Sequence, residues 1–258
     1  MQEKVSNTDK DFLMAKIAVI ICAAGSSSRF GKARKKQFTD IAGRAAFVRS
    51  IELFSERDNV KQIILCISKE DQEMVSLKYG ANLGFFGVKI SIGGAERFET
   101  VSKALQLVKD DIDIVAVHDA VRCCATAEWI DKVFEAAGKT GSAMLACPVV
   151  ATIKKVKDGT ITETVDRSNL YEAQTPQVFN KTLLLKAYEN LKNLDKTKIS
   201  DDSQLVEALG EKVAIVETDS SNIKITTAND IAIAEAIIKS RPKPNPKGMD
   251  NPYDEAMW

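Results

Sequence analysis

The feature that most constrains the fold is a recurrence of short β-branched runs that are apolar on both alternating faces. Ile17–Cys22 (IAVIIC) and Gln62–Ile67 (QIILCI) lead, followed by Val88–Ile92, Asp113–Val117, Ala143–Val150 and Val213–Val216. A strand with one wet face alternates apolar with polar; a strand apolar on both faces needs helices on both sides, as in a parallel doubly wound sheet. The stretches between carry helical spacing: Phe47, Ile51 and Phe54 recur at i, i+4, i+7, and Phe98, Val101, Leu105 and Val108 at i, i+3, i+7, i+10. The pattern predicts an α/β fold, a mostly parallel doubly wound sheet in one domain over residues 16–240.

Three segments break the alternation. Ala151–Val165 holds two alternating strands about Asp158-Gly159, a strong hairpin signal. Its strands are too polar to form a core, so residues 151–170 are expected to protrude as an arm stabilised by pairing with something else. Residues 241–258 contain four of the six prolines and predict an extended C-terminal tail. Residues 1–15 are polar and predict a disordered tail with neither the apolar core of a signal peptide nor the acid-poor character of a transit peptide.

Composition excludes several classes. Lys+Arg and Asp+Glu are both 36, so the chain lacks the basic excess of a nucleic-acid or anionic-membrane binder. No apolar run approaches the roughly 18 residues of a membrane-spanning helix. The five cysteines, Cys22, Cys66, Cys123, Cys124 and Cys147, form no C-x-x-C pair, which predicts reduced thiols in a cytoplasmic protein.

Any anion recognition must therefore be local, and the turn after Ile17–Cys22 is where it is expected. Ligands of open α/β sheets bind outside the carboxyl ends of the strands. Ala23-Ala24-Gly25 allows backbone N–H groups close to phosphate oxygens, and Ser26, Ser27 and Ser28 add hydroxyls. Arg29 offers a planar fork and Lys36 a compact charge. A Walker loop is excluded, because Phe30 stands where its second glycine belongs; G-x-G-x-x-G is excluded by Ser27. Later run ends carry "GGAERFET" (Gly93–Thr100) and "HDAVR" (His118–Arg122). Asp119 is placed to hold a divalent metal or a ribose hydroxyl. His118, the only histidine, is expected to orient its loop rather than act as a base.

In succession, A-A-G-x-x-x-R, K-Q, G-G-x-x-R, H-D-A-x-R, T-V-D-R, Q-T-P-Q and N-I-K-I-T resemble the cytidylyltransferases that act on 2-C-methyl-D-erythritol 4-phosphate in isoprenoid synthesis, over about Ile17 to Ile238. The resemblance implies a Rossmann-like nucleotidyltransferase fold, a homodimer built by exchange of the 151–170 arm, and a Mg²⁺-dependent reaction of CTP with the polyol phosphate. It implies that Ala23, Ala24 and Gly25 line the nucleotide and that Arg29, Lys36 and Lys224 are the catalytic cations about the phosphates. Gly94, Arg97 and Thr100 would surround base and ribose, and Asp119 would serve the ribose and the metal. Thr152, Arg167, Thr175 and Ser200 would face the polyol phosphate, with Arg167 reaching across the dimer.

The sequence departs from the family pattern in places. Lys35 and Cys123 stand where proline is usual, which predicts a less rigid turn before Lys36 and a looser Arg122. Thr100 and Ser200 exchange one hydroxyl residue for the other. Two alternatives accompany this reading: transfer to ribitol 5-phosphate, whose enzymes tend to read L-A-G-G at the first turn, and a non-catalytic nucleotide sensor, against which the retained Arg29, Lys36, Asp119 and Lys224 speak.

Overall fold

Ile17–Cys22 forms the central strand β1, and its alternation sorts the whole core. Ile17, Val19 and Ile21 point into one apolar layer, Ala18 and Ile20 into the other. The same division holds along β4 (Val60–Ile67) and β6 (Ile114–Asp119). The structure, a computed structural model, describes residues 15–26, 30 and 35–241. The expected tails at residues 1–15 and 241–258 therefore fall almost wholly outside the described residues.

Seven strands form one sheet in the order β11 (Ala214–Glu217), β7 (Ser142–Pro148), β10 (Tyr171–Asn180), β6, β1, β4 and β5 (Lys89–Ile92). All neighbours are parallel except β10, which runs antiparallel to both β6 and β7. One face is covered by α1 (Ala46–Ser55), α2 (Gln72–Phe85) and α4 (Ala127–Thr140); the other by α3 (Arg97–Leu105), α5 (Lys181–Glu189) and α6 (Asp202–Glu207). This is the doubly wound α/β architecture expected. Phe47, Ile51 and Phe54 of α1 are fully buried, each worth roughly 1.5–3 kcal/mol of burial. A seventh helix, α7 (Asn229–Ser240), packs through Ala234 onto Cys123, Cys124 and Ile225.

Two elements differ from the sequence reading. Strand β6 continues past the expected Val117 through His118 and Asp119, so the acid is the strand's last residue rather than lying beyond its end. Strand β10 was not expected, because Pro176 argues against a central strand. The ladder to β7 breaks between Ala173 and Gln177, and the proline sits in that gap, where the Thr175–Pro176 bond is cis.

The predicted arm is present. Among the described residues β8 (Ile153–Lys157) and β9 (Thr160–Val165) pair only with each other, and both are exposed apart from half-buried Val165. Asp158 and Gly159 have φ of +51° and +78°, the left-handed pair that a two-residue hairpin turn requires. A short hairpin of β2 (Asp40–Ile41) and β3 (Arg44–Ala45) precedes α1.

Candidate active site

The carboxyl ends of β1, β5 and β6 open onto one cavity of about 160 Å³, lined by Ala23, Ala24, Gly25, Lys36, Gly94, Arg97, Thr100, Asp119 and Lys224 among others. A larger hollow of about 590 Å³ lies between the β2–β3 hairpin, α1 and α2, lined by Phe38, Tyr79 and Phe85. Its Arg44 and Glu52 pair with each other, whereas the smaller cavity gathers charges from distant parts of the chain. That convergence marks the functional site.

The floor is built from the backbone outward. The Ala23 N–H donates to the Cys66 carbonyl at 2.8 Å, continuing the β1–β4 ladder into the turn. Gln37, buried beside Lys36, donates through Nε2 to the carbonyls of Ala23 (2.8 Å) and Gly25 (3.2 Å). It thereby ties the strand turn to the 3₁₀ turn Lys36–Phe38. On the other side, a Cβ on Gly93 would lie 2.5 Å from Ala24 Cβ, and one on Gly94 would lie 2.4 Å from Glu99 Cβ. Only glycine lets these two segments approach so closely. The Gly94 N–H donates to Thr100 Oγ1 (3.0 Å), whose own proton goes to the Glu96 carbonyl (3.1 Å). A reciprocal capping box of Glu96 and Glu99 completes the entry to α3.

Asp119 is the electrostatic centre. Its Oδ2 accepts from Lys224 Nζ at 2.6 Å and its Oδ1 from Arg97 Nε at 3.4 Å; Arg122 Nε lies 4.0 Å away. Burial alone would push this carboxyl up, but Arg97, then Lys224 and Arg122, hold it well below the usual carboxylate range. Lys224 is kept in reach by the Ile225 N–H, which donates to the Val121 carbonyl at 3.0 Å. Arg122 donates to the carbonyls of Asn222 (2.7 Å) and Ala173 (3.1 Å). The looser Arg122 expected from Cys123 is thus not found: two carbonyls hold the guanidinium, and Cys123 packs in the apolar cluster under α7. Lys35 likewise replaces proline rigidity with a tether, donating to Asp71 Oδ2 (2.8 Å) and Ser68 Oγ (3.0 Å).

The other expected site residues lie apart from this cavity. Thr175 sits beneath it, buried: its Oγ1 accepts from the Asp119 N–H at 3.0 Å and lies 3.2 Å from His118 Nδ1. Ser200 donates through N–H and hydroxyl to Gln204 Oε1. Thr152 and Arg167 are exposed at the arm, where Arg167 donates to the Val150 carbonyl. Arg29 lies outside the described residues. His118 orients as expected: fully buried against the Phe54 ring, it is pushed down to about 4 by that burial and stays neutral. The five cysteines are all free thiols. Among the described residues no helix is long and apolar enough to cross a membrane.

For a metal, the described residues offer Asp119 and no cluster of three or more His, Cys, Asp or Glu. A lone carboxylate suits magnesium, which keeps several waters and takes substrate phosphates as ligands. It does not suit a metal caged by protein alone. Missing from the sequence reading were Gln37, Tyr188 and Asp202. Gln37 left a trace in its place next to Lys36; the other two become visible only when α5 and α6 fold behind Arg97.

Comparison with known proteins agrees with this geometry. The family model described as 2-C-methyl-D-erythritol 4-phosphate cytidylyltransferase matches residues 17–240. A protein of that name from Endomicrobium trichonymphae is 44% identical over 226 residues, covering 87% of this chain and 100% of the relative. One from Rhodopirellula baltica is 37% identical over 236 residues, covering 87% and 95%. The crystal structure of 4-diphosphocytidyl-2C-methyl-D-erythritol synthase from Anaerococcus prevotii superposes with a TM-score of 0.76 at 29% identity, covering 91% of this chain and 100% of that one. With its glycine-braced cavity, its Asp119–Lys224 pair and these matches over nearly all of the folded chain, the protein belongs to the 2-C-methyl-D-erythritol 4-phosphate cytidylyltransferase family.

Proposed function

We infer that this protein transfers the cytidylyl group of CTP to 2-C-methyl-D-erythritol 4-phosphate, giving 4-diphosphocytidyl-2-C-methyl-D-erythritol and pyrophosphate. The observation that carries the reading is the convergence of Lys36, Arg97, Asp119 and Lys224 on the small-residue turn after β1, in a chain of this family. An oxygen of the polyol phosphate attacks the α-phosphorus of CTP in line, and the bond to the β-phosphate oxygen breaks. The nucleophile has a second pKa of about 6, so it is ionised at neutral pH and needs no protein base. That fits a site whose one histidine is buried and neutral.

The protein's task is to hold two anions together and to stabilise the charge spread over the transferring group. Lys36 and Lys224 supply fixed positive charge there, and Arg29 is assigned to the same group. Gly94, Thr100 and Arg97 shape the nucleoside end. Asp119 would hold a Mg²⁺ ion, which when bound would supply charge neutralisation for the triphosphate. The arm is assigned to a homodimer in which Thr152 and Arg167 serve the neighbouring chain's polyol phosphate, because its Val156 and Ile161 are exposed among the described residues. The five free thiols fit a reducing, cytoplasmic setting.

The test is magnesium-dependent pyrophosphate release from CTP, with methylerythritol 4-phosphate and ribitol 5-phosphate supplied separately. Release is expected with the first alone, and Lys36→Ala should lower the rate by about 10²–10³-fold. Release only with ribitol phosphate, or CTP binding without turnover on either, would refute the reading.

A further inference from the structure

Asp202 is the least accessible carboxylate near the site and the one that no substrate can reach. It is fully buried at the start of α6. Its Oδ1 accepts from the Tyr188 hydroxyl at 2.5 Å, and its Oδ2 accepts from Arg97 Nη1. Gln177 fixes the backbone here: its Oε1 accepts from the N–H groups of Asp202 (3.0 Å) and Ser203 (3.2 Å), and its Nε2 donates to Asp201 (2.8 Å). Burial raises the Tyr188 phenol, and Asp202 raises it further, so it remains a donor.

A buried carboxylate with this many partners is costly to keep unless it constrains something. What it constrains is Arg97. The guanidinium lies between two carboxylates, held by Asp202 behind and by Asp119 at 3.4 Å in front. Arg97 Nη2 is enclosed yet has no hydrogen-bond partner among the described residues, while the side chain lines the cavity. Without Asp202 the fork would close onto Asp119, the one remaining anion in reach. It would then compete there with Lys224 and occupy the oxygens that a ribose or metal needs.

We propose that Asp202, clamped by Tyr188 and Gln177, is a positioning residue that holds Arg97 back from Asp119 and keeps its guanidinium on the wall of the nucleotide cavity. The proposal rests on the function inferred above. Arg97 belongs to the nucleoside end, away from the reacting phosphorus, so its grip is equal in ground and transition states. Misaiming it should raise KM more than it lowers kcat.

The experiment measures KM for CTP, kcat and melting temperature for wild type, Asp202→Asn, Tyr188→Phe, Arg97→Met and the Arg97→Met/Asp202→Asn pair. Asp202→Asn is expected to raise KM for CTP about 10–100-fold, as loss of outer partners does at other sites, with a smaller fall in kcat. Tyr188→Phe, which removes one oxygen and leaves the ring, should raise KM about fivefold. In the Arg97→Met background Asp202→Asn should add nothing to KM and should recover melting temperature by removing an unpaired buried charge. A melting temperature that falls while KM for CTP stays within about twofold in both single variants would mean a purely structural role and overturn the proposal. So would a full additional KM effect in the Arg97→Met background. If Asp202→Asn does not fold, Tyr188→Phe decides by the same criterion. Wild type that turns over no CTP would instead defeat the functional reading, and this proposal with it.

Discussion

His118 illustrates how a residue that invites a catalytic role can be claimed by the fold. Its ring is enclosed by Phe54 and held at Nδ1 by Thr175, which also receives the Asp119 N–H. Through Thr175 it is linked to the Asp119 backbone, and it does not line the cavity. Burial lowers its folded pKa to about 4, against about 6.5 in an unfolded chain. A group whose folded pKa is depressed contributes stability that is complete above the unfolded value and is lost as pH falls toward the folded one. Between pH 6.5 and 4 the fold should therefore lose on the order of 3 kcal/mol through this residue. Asp119 is also held low, but its contribution is lost only at more acid pH, as pH falls below the ordinary carboxylate value. Urea midpoints measured across pH 4–7 should show this slope in wild type and a flatter one in His118→Gln. An unchanged slope in the variant would mean that another group carries it.

At the scale of elements, legibility followed burial symmetry. β1, β4 and β6 were readable because both faces are apolar, and α1 because Phe47, Ile51 and Phe54 mark one stripe. β10 was not, since three of its buried residues are Gln174, Thr175 and Gln177, beside Val178 and Phe179, and their polar groups are satisfied by partners far along the chain. Gln174 Oε1 accepts from Thr218 and Asn222, and Gln177 serves Asp201, Asp202 and Ser203. The same distance hid the Arg97–Asp202 contact, which spans 105 residues, whereas the turn after β1 announced itself through local chemistry. Phe54 packs on both His118 and Phe134 on one face of the sheet. Phe54→Ala is expected to cost about 3–5 kcal/mol, read as a fall in urea midpoint. A loss under 1 kcal/mol would show that α1 can collapse into the space.

For the whole molecule, the arm divides the chain into a part that folds on its own core and a part that has none. The strand pair from Ile153 to Val165 buries almost nothing within one chain and exposes Val156 and Ile161, so a hairpin of this kind needs a second surface. Light scattering should give twice the monomer mass, and Val156→Lys with Ile161→Lys should shift it toward one chain. A monomer in wild type would remove the assignment of Arg167 to a neighbouring site.

β10 begins exposed at Tyr171, beside the root of the arm, and is buried from Gln174 to Phe179 before its exposed last residue, Asn180. On the way it places Thr175 under Asp119 and Gln177 under Asp202. One strand, interrupted in its ladder to β7 around Pro176, thus runs from the root of the arm to the floor of the cavity. For the homodimer proposed above, association at the arm and affinity in the cavity would be two readings of one equilibrium, and specific activity per chain should fall on dilution below the dissociation constant of the pair. Constant specific activity through that range would show that the strand transmits nothing.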